Sequence, residues 1–412
     1  MRVLVHDYSG HPFQVQLSRE LARRGHEVLH LHCPAYVTGK GSLERLPDEP
    51  ETFSIEAVDL GEQFQKYSAL KRWRQERRYG RILSARIERF EPDVVLSSNT
   101  PLFAQQIVLG RIRRLGIPFV FWQQDVYSIA MQNAARRKLP VVGGLLGNVF
   151  VRMERSMLAK SDRVVVISDD FLPVLRRWGI SPDKIDVVDN WAPLDELVGT
   201  DADTGWAEAH GLAGRTVLLY SGTLGLKHDP SFLLDLARRV GDRDDVRVVV
   251  ISEGMGASWL RAQQDAQPAP ALVLLPFQPY EVLPEVLASA AVLIAILEPE
   301  AGVFSVPSKV LSYHCAGRPI LAAIPAENLA ARIISQCGSG VVVDPKDRDA
   351  FVRAAMELVD DPDRRRAMGE RARAYAEATF DITAIGDRFE GILLGSCEAA
   401  PGITATRTVR TT

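Results

Sequence analysis

Short runs of β-branched and aliphatic residues recur along this chain, and amphipathic stretches with helical spacing lie between them. The runs lie at residues 3–5, 94–96, 119–122, 164–167, 217–220, 246–251, 292–296 and 319–323. They carry almost no polar residues, as expected of parallel strands buried between two helical layers. Stretches such as 15–24, 232–240 and 350–359 supply the covering helices. This alternation demands crossover connections, hence an α/β fold with ligand sites at the carboxyl ends of the strands. At 412 residues the chain exceeds one ordinary core, so two doubly wound, Rossmann-like domains are expected. An acidic, glycine-containing segment at 195–205 precedes a fresh series of strands and marks the linker. The expected layout is a first domain over 1–195, a second over 205–378, a helix over 379–398 that could cross back, and a disordered tail over 399–412.

Composition removes several alternatives. Hydrophobic content of 46% and charged content of 25% exclude a disordered or collagen-like chain. The four cysteines (Cys33, Cys315, Cys337, Cys397) form no CxxC pair, so a reducing, cytoplasmic setting is the simpler expectation. No window approaches 18 uncharged apolar residues and no leader-like segment opens the chain, so neither a spanning helix nor a secretory signal is expected. The net charge of −3 hides an asymmetry: residues 1–190 carry 28 Lys and Arg against 22 Asp and Glu, and the remainder is acidic. A basic first half points to an anionic partner there.

Two loops carry the chemistry. Tyr220-Ser221-Gly222-Thr223-Leu224-Gly225-Leu226-Lys227-His228 joins a strand to a helix. Its glycines allow close backbone approach to a ligand, the next helix offers free amides, and Lys227 adds a positive charge, which together suit a diphosphate. The spacing fits neither a Walker A loop nor a dinucleotide fingerprint. An ordinary strand–helix turn with a solvated lysine is the competing reading. The second loop, Glu298-Pro299-Glu300-Ala301-Gly302-Val303-Phe304-Ser305-Val306-Pro307-Ser308-Lys309, should offer a carboxylate to sugar hydroxyls and amides to phosphate before a helix starting near Pro307. Glu253 and Gly254 follow another strand end in similar fashion. In the first half, Gly10 and His11 follow the first strand, and Asp125 follows the strand at 119–122.

The order of these pieces resembles the large retaining glycosyltransferase family of GT-B fold that builds bacterial capsule, exopolysaccharide and lipopolysaccharide. Arg23-Arg24-Gly25-His26-Glu27-Val28 resembles its early helix–turn–strand signature, and Val188-Asp189-Asn190-Trp191-Ala192-Pro193 its interdomain segment. Leu275-Pro276-Phe277-Gln278-Pro279 resembles the nucleobase-recognition strand. Pro307-Ser308-Lys309 through Ala316-Gly317-Arg318-Pro319 resembles the donor-site helix. The chain departs from the family pattern at Thr223, where an Arg is usual, at Gln124, where a His is usual, and at Ser312, where a ribose-binding Glu would fall.

The resemblance implies two Rossmann-like domains facing a cleft and transfer from a nucleotide diphosphate sugar, such as a UDP- or GDP-sugar, to a glycan or lipid-linked acceptor. It implies Asp125, Lys227 and Glu300 as catalytic. On the donor side it implies Gly222, Thr223, Lys227, Glu253, Gly254, Phe277, Gln278, Glu300, Gly302, Val303, Phe304, Ser305, Ser308, Lys309 and Ser312. Gly10 and His11 fall on the acceptor side. No metal is implied, since lysines and helix N-termini can stabilise the departing diphosphate. A nucleotide-sugar epimerase of the same shape, or a non-catalytic nucleotide-sugar binder, remains open. Between residues 71 and 89 lie eight Lys and Arg against Glu76 and Glu88, and Arg136-Arg137-Lys138 leads into an apolar stretch at 139–150. These suggest docking at the inner face of an anionic membrane, against the alternative of a solvated helix face. Nucleic acid is not expected, because aromatic interleaving is missing.

Overall fold

The computed structural model describes residues 1–35, 41–62, 68–98, 100–138, 143–197, 205–225, 228–299 and 306–398. The chain forms two compact units: one holds Met1–Asp189 and takes the chain back from Ile382 on, and the other is Asn190–Asp381.

In the first unit the strands are β1 (Arg2–Asp7), β2 (Glu27–His32), β3 (Phe53–Ala57), β4 (Val94–Ser98), β5 (Phe119–Gln123), β6 (Arg163–Val166) and β7 (Ile185–Val187). They form one sheet in the order β3-β2-β1-β4-β5-β6-β7, every pair parallel. Helices α1 (Pro12–Arg23), α2 (Ala69–Phe90), α3 (Leu102–Leu115), α4 (Tyr127–Lys138), α5 (Gly143–Lys160) and α6 (Leu172–Arg177) join them. Strand order reverses between β1 and β4, the switch point where such sheets bind ligands.

The second unit contains β8 (Thr216–Ser221), β9 (Val246–Ile251), β10 (Leu272–Leu275), β11 (Val292–Ile296), β12 (Ile320–Ala323) and β13 (Gly340–Val343), all parallel in the order β10-β9-β8-β11-β12-β13. Its helices are α7 (Gly205–Ala209), α8 (Ser231–Arg239), α9 (Met255–Ala266), α10 (Leu283–Ala288), α11 (Lys309–Cys315), α12 (Leu329–Cys337), α13 (Arg348–Asp360) and α14 (Pro362–Thr379). Leu218, Tyr220, Val248, Val250, Ile294 and Phe351 belong to its core.

The last helix, α15 (Ile382–Glu398), lies on the first unit. Phe389 packs on Trp122 of β5 with ring centroids 4.7 Å apart. Arg24 at the end of α1 donates to Asp387 (2.6 Å), Glu390 (2.9 Å) and the Thr383 carbonyl (2.7 Å), and His26 bonds Glu390 at 2.7 Å.

Polar residues lie deep in the first unit. His6 on β1 is fully buried and hydrogen-bonded to Ser97 (3.0 Å), Thr100 (3.0 Å) and the Tyr79 hydroxyl (2.9 Å). Burial, reinforced by nearby His32, lowers its pKa to about 3, and burial likewise pushes His30 down. The unfolded chain therefore takes up protons below pH 6.5 that the fold refuses. His6 thus contributes stability that falls as pH drops from 6.5 towards 3, by about 2 kcal/mol at pH 5. Buried Asp7 and Glu154, with raised pKa values, act in the opposite direction. The difference in unfolding free energy between wild type and His6→Asn should accordingly shrink from pH 7 to pH 5 in urea titrations. A difference independent of pH would mean that His6 is not held neutral.

Candidate functional site

The carboxyl ends of β8 and β9 and the start of α11 meet at one place. Gly222, directly after β8, has φ +128, a conformation open to glycine and strained for other residues. A Cβ there would stand 3.0 Å from Lys309 Nζ and 3.1 Å from its Cε, so the absent side chain makes room for the lysine. Lys309 opens α11 and places Nζ 3.4 Å over the centre of the Tyr220 ring. The residue keeps partial exposure, yet its Nζ is buried with no hydrogen-bond partner among the described residues. Burial holds the amine well below the ordinary lysine range. A buried cation without a counter-group is costly, so this amine is poised for an anion.

The surroundings are fixed by hydrogen bonds. Tyr220 donates to the Thr223 carbonyl (3.0 Å). The Tyr313 hydroxyl accepts from Ser221 N (3.2 Å) and lies 3.2 Å from the Ser221 and Ile294 carbonyls. Gly254 after β9 has φ +106, and a Cβ there would come 3.1 Å from the Leu224 carbonyl. That carbonyl accepts from Gly256 N at 3.0 Å, while Leu224 N donates to Ser252 Oγ at 3.0 Å. The two loops are thereby locked together beside the N-terminus of α9, where no side chain caps the helix. The positive end of the helix dipole favours an anion there.

The expected donor residues divide into three groups. Gly222, Gly254 and Lys309 belong to the cradle just described. Ser312, one turn after Lys309, shares its partly exposed side of α11, whereas Val310, Leu311 and Tyr313 are buried; Thr223, Glu253 and Ser308 are exposed and Phe277 is half-buried. Gln278 has its amide engaged, accepting from Trp206 Nε1 and donating to the Pro276 carbonyl, each at 3.0 Å, so it fastens the loop after β10 to α7. Lys227, Glu300, Gly302, Val303, Phe304 and Ser305 lie outside the described residues. The helix expected to start near Pro307 begins at Lys309, because Val310 N and Leu311 N first bond three residues back, to Pro307 and Ser308. Gly317-Arg318-Pro319, read with the donor-site helix, lies past its far end, leading into β12.

Tyr220 and Tyr313 were missed by sequence reasoning. Tyr220 reads as the end of an apolar run and the first residue of the glycine loop, with no role of its own, and Tyr313 stands one turn beyond Lys309.

In the first unit, Asp7 at the end of β1 organises the loop before α1. Its buried carboxylate accepts from the amides of Ser9 (2.9 Å), Gly10 and His11, and burial raises its pKa. Gly10 has φ +74, its carbonyl accepts from Gly41 N at 3.1 Å, and His11 N-caps α1. A strand-end carboxylate shortly before a glycine and a helix start was the signal for Asp7, and it was overlooked. Asp125 is partly buried two residues past β5. Beside it, Glu154 of α5 is fully buried, accepting from Ser128 N (2.9 Å) and Gln123 Nε2 (3.3 Å), and burial raises its pKa.

Two parallel-sheet units of seven and six strands define the GT-B fold, and the chain is a glycosyltransferase. It belongs to the glycosyltransferases that pair a glycosyl transferase 4-like domain, matched by residues 11–191, with the glycosyl transferases group 1 family, matched by residues 205–375. It is 22% identical over 300 residues to the putative colanic acid biosynthesis glycosyl transferase WcaI of Escherichia coli, covering 71% of this chain and 72% of that one. It is 25% identical over 255 residues to the alpha-D-kanosaminyltransferase of Streptomyces kanamyceticus, covering 58% and 62% respectively. Among solved structures, Anabaena Alr3699/HepE in complex with UDP-glucose superposes with TM-score 0.70 at 14% identity, over 96% of this chain and 100% of that one. WaaG, a glycosyltransferase involved in lipopolysaccharide biosynthesis, gives 0.67 at 15% identity, over 95% and 100%.

Proposed function

We propose that this glycosyltransferase moves a sugar from a nucleotide diphosphate sugar to a lipid-linked glycan acceptor, with retention, in cell-surface polysaccharide synthesis. The observation that carries the donor reading is the buried Lys309 amine beneath Gly222, which has no hydrogen-bond partner among the described residues. A departing nucleoside diphosphate gains negative charge as the glycosidic bond breaks, so cations and amides already in place favour that state over the ground state. Lys309 and the N-terminus of α9 supply both, with Lys227 and Glu300 as further donor-side groups. Relatives of the same fold held with UDP or UDP-glucose support this nucleotide chemistry. Gly10 and His11 are assigned to the acceptor side, and Asp125 to catalysis.

The same reading makes transfer independent of divalent metal, the positive charge coming from the chain. Among the described residues no group of three His, Cys, Asp or Glu could hold a metal ion. Transfer by the purified protein should keep full rate in excess EDTA; loss in EDTA with restoration by Mg²⁺ or Mn²⁺ would overturn the mechanism.

For a lipid-linked acceptor the protein would work at the inner face of the plasma membrane. No helix among the described residues is long and apolar enough to cross a bilayer. The support for surface docking is on the first unit. Lys71, Arg74 and Arg81 of α2 are exposed with no ion pair among the described residues, and Leu70, Trp73, Leu145, Leu146 and Val149 are exposed near the starts of α2 and α5. Basic and apolar groups together favour an anionic interface. Thermal-shift screening of UDP- and GDP-sugars would identify the donor, since a ligand at 100 times its Kd stabilises by about 2.7 kcal/mol.

A further inference from the structure

A cavity of about 810 Å³ opens on the second unit at the opposite edge of its sheet from the Lys309 cradle. Thr216, Ala291 and Pro319, at the amino ends of β8, β11 and β12, form its floor. A strand the length of β8 spans roughly 20 Å, so the two places do not overlap. One wall is α14, and the residues it contributes recur with helical period: Pro362, Arg365, Arg366, Gly369 and Arg373 form a stripe along one side. Arg215 and Arg318 add two more guanidinium groups, against the carboxylates Glu370 and Glu377.

Two of these arginines are held in place by backbone bonds. Arg365 Nη1 donates to the carbonyls of Leu358 (2.5 Å) and Val359 (2.7 Å) at the end of α13. Arg373 Nη1 donates to the carbonyls of Cys315 (2.7 Å) and Leu197 (3.1 Å), and its Nε pairs with Glu377 at 2.7 Å. Glu377 is thereby neutralised. The Arg215 side chain makes no hydrogen bond or ion pair among the described residues, although Asp245 is near enough to feel its charge, and among the same residues Arg366 pairs only with Asp363 in an exposed contact of little strength. The backbone comes close here as well. A Cβ on Gly369 would meet the Gly317 carbonyl at 2.4 Å, so α14 can approach this turn only through glycine.

We propose that this cavity is a second anion site, distinct from the donor cradle, which takes a phosphate-bearing ligand on Arg215 and Arg366 beside the α14 wall that Arg365 and Arg373 tie to its neighbours. Planar guanidinium forks match phosphate geometry better than an ammonium group does. The phosphate is either that of a soluble ester or that of a lipid headgroup.

Calorimetry on the full chain with inorganic pyrophosphate as probe tests the site. Wild type should show two sites. Arg215→Ala/Arg366→Ala should lose one, or weaken it at least tenfold, without a change in melting temperature. Lys309→Met should lose the other and keep the arginine site, so the two assignments fail separately. No site left in Lys309→Met, or binding undiminished in the double arginine variant, would overturn the proposal. Vesicles of phosphatidylcholine with phosphatidic acid then distinguish the sources. If pyrophosphate competes with vesicle binding in wild type but not in the arginine variant, the ligand is a headgroup; if pyrophosphate binds the cavity and vesicles do not compete, it is a soluble phosphate.

Discussion

Replacing Lys309 by methionine should lower kcat/KM at least a hundredfold while leaving the ligand-free protein as stable as wild type or more so. The amine faces no hydrogen-bond partner among the described residues, is buried over Tyr220, and sits where Gly222 leaves space. Methionine keeps the length and removes the cost of burying a cation. Transfer loses one or two charge-assisted bonds to the leaving diphosphate at roughly 1.5–3 kcal/mol each, and a hundredfold corresponds to about 2.7 kcal/mol. Steady-state kinetics beside a melting curve separate the two effects. Full activity in a folded Lys309→Met protein would remove the diphosphate assignment, and a fall in melting temperature would mark the lysine as structural. Gly222→Ala should reproduce the kinetic loss, because the added carbon occupies the lysine's space and the φ of +128 disfavours it.

The second large effect concerns α2. Changing Arg74, Arg77, Arg78 and Arg81 to Glu reverses eight units of charge on one helix, and each basic residue near an anionic surface is worth about 1 kcal/mol. Sedimentation with anionic liposomes should be abolished. Of the four, Arg78 has only a 3.6 Å contact with Glu62 and Arg77 stacks over Trp73, so little internal structure is lost. Arg86 and Arg89 are left unchanged because both pair with Glu56, at 2.6 and 2.9 Å. Raised salt should imitate the variant. Binding equal to wild type would leave the basic stretch as a solvated face.

The fold was legible where strands lie in the middle of a sheet. β1, β4, β5, β8, β9, β11 and β12 lie inside their sheets, and each carries a largely apolar run of three or more residues. The edge strands were harder. β3 reads Phe-Ser-Ile-Glu-Ala and β7 only Ile-Asp-Val, because one side of an edge is relieved of apolar demand. β2 carries His30 and His32 inside, and His30 Nδ1 pairs with Ser18 Oγ at 2.8 Å, a pairing 12 residues apart that no local pattern announces. In the site, the sequence signal was the glycines at 222 and 225 followed by Lys227, which lies outside the described residues. That a lysine 87 positions after Gly222 fills its missing side chain is a tertiary fact. Asp7 escaped for a related reason: its amide partners are neighbours in sequence, but its burial is set by the whole sheet.

Because α15 is the last helix and belongs to the unit that begins the chain, the second unit is in effect an insertion within the first. During synthesis the second unit can close on itself as soon as it leaves the ribosome. The first must wait for α15, with the Trp122 face that Phe389 covers still open to water. Completion of the first unit is thus timed by the synthesis of α15. A stop codon shortly before residue 382 would release an intact second unit beside a first unit with an uncovered apolar seam, a species suited to chaperone capture and proteolysis.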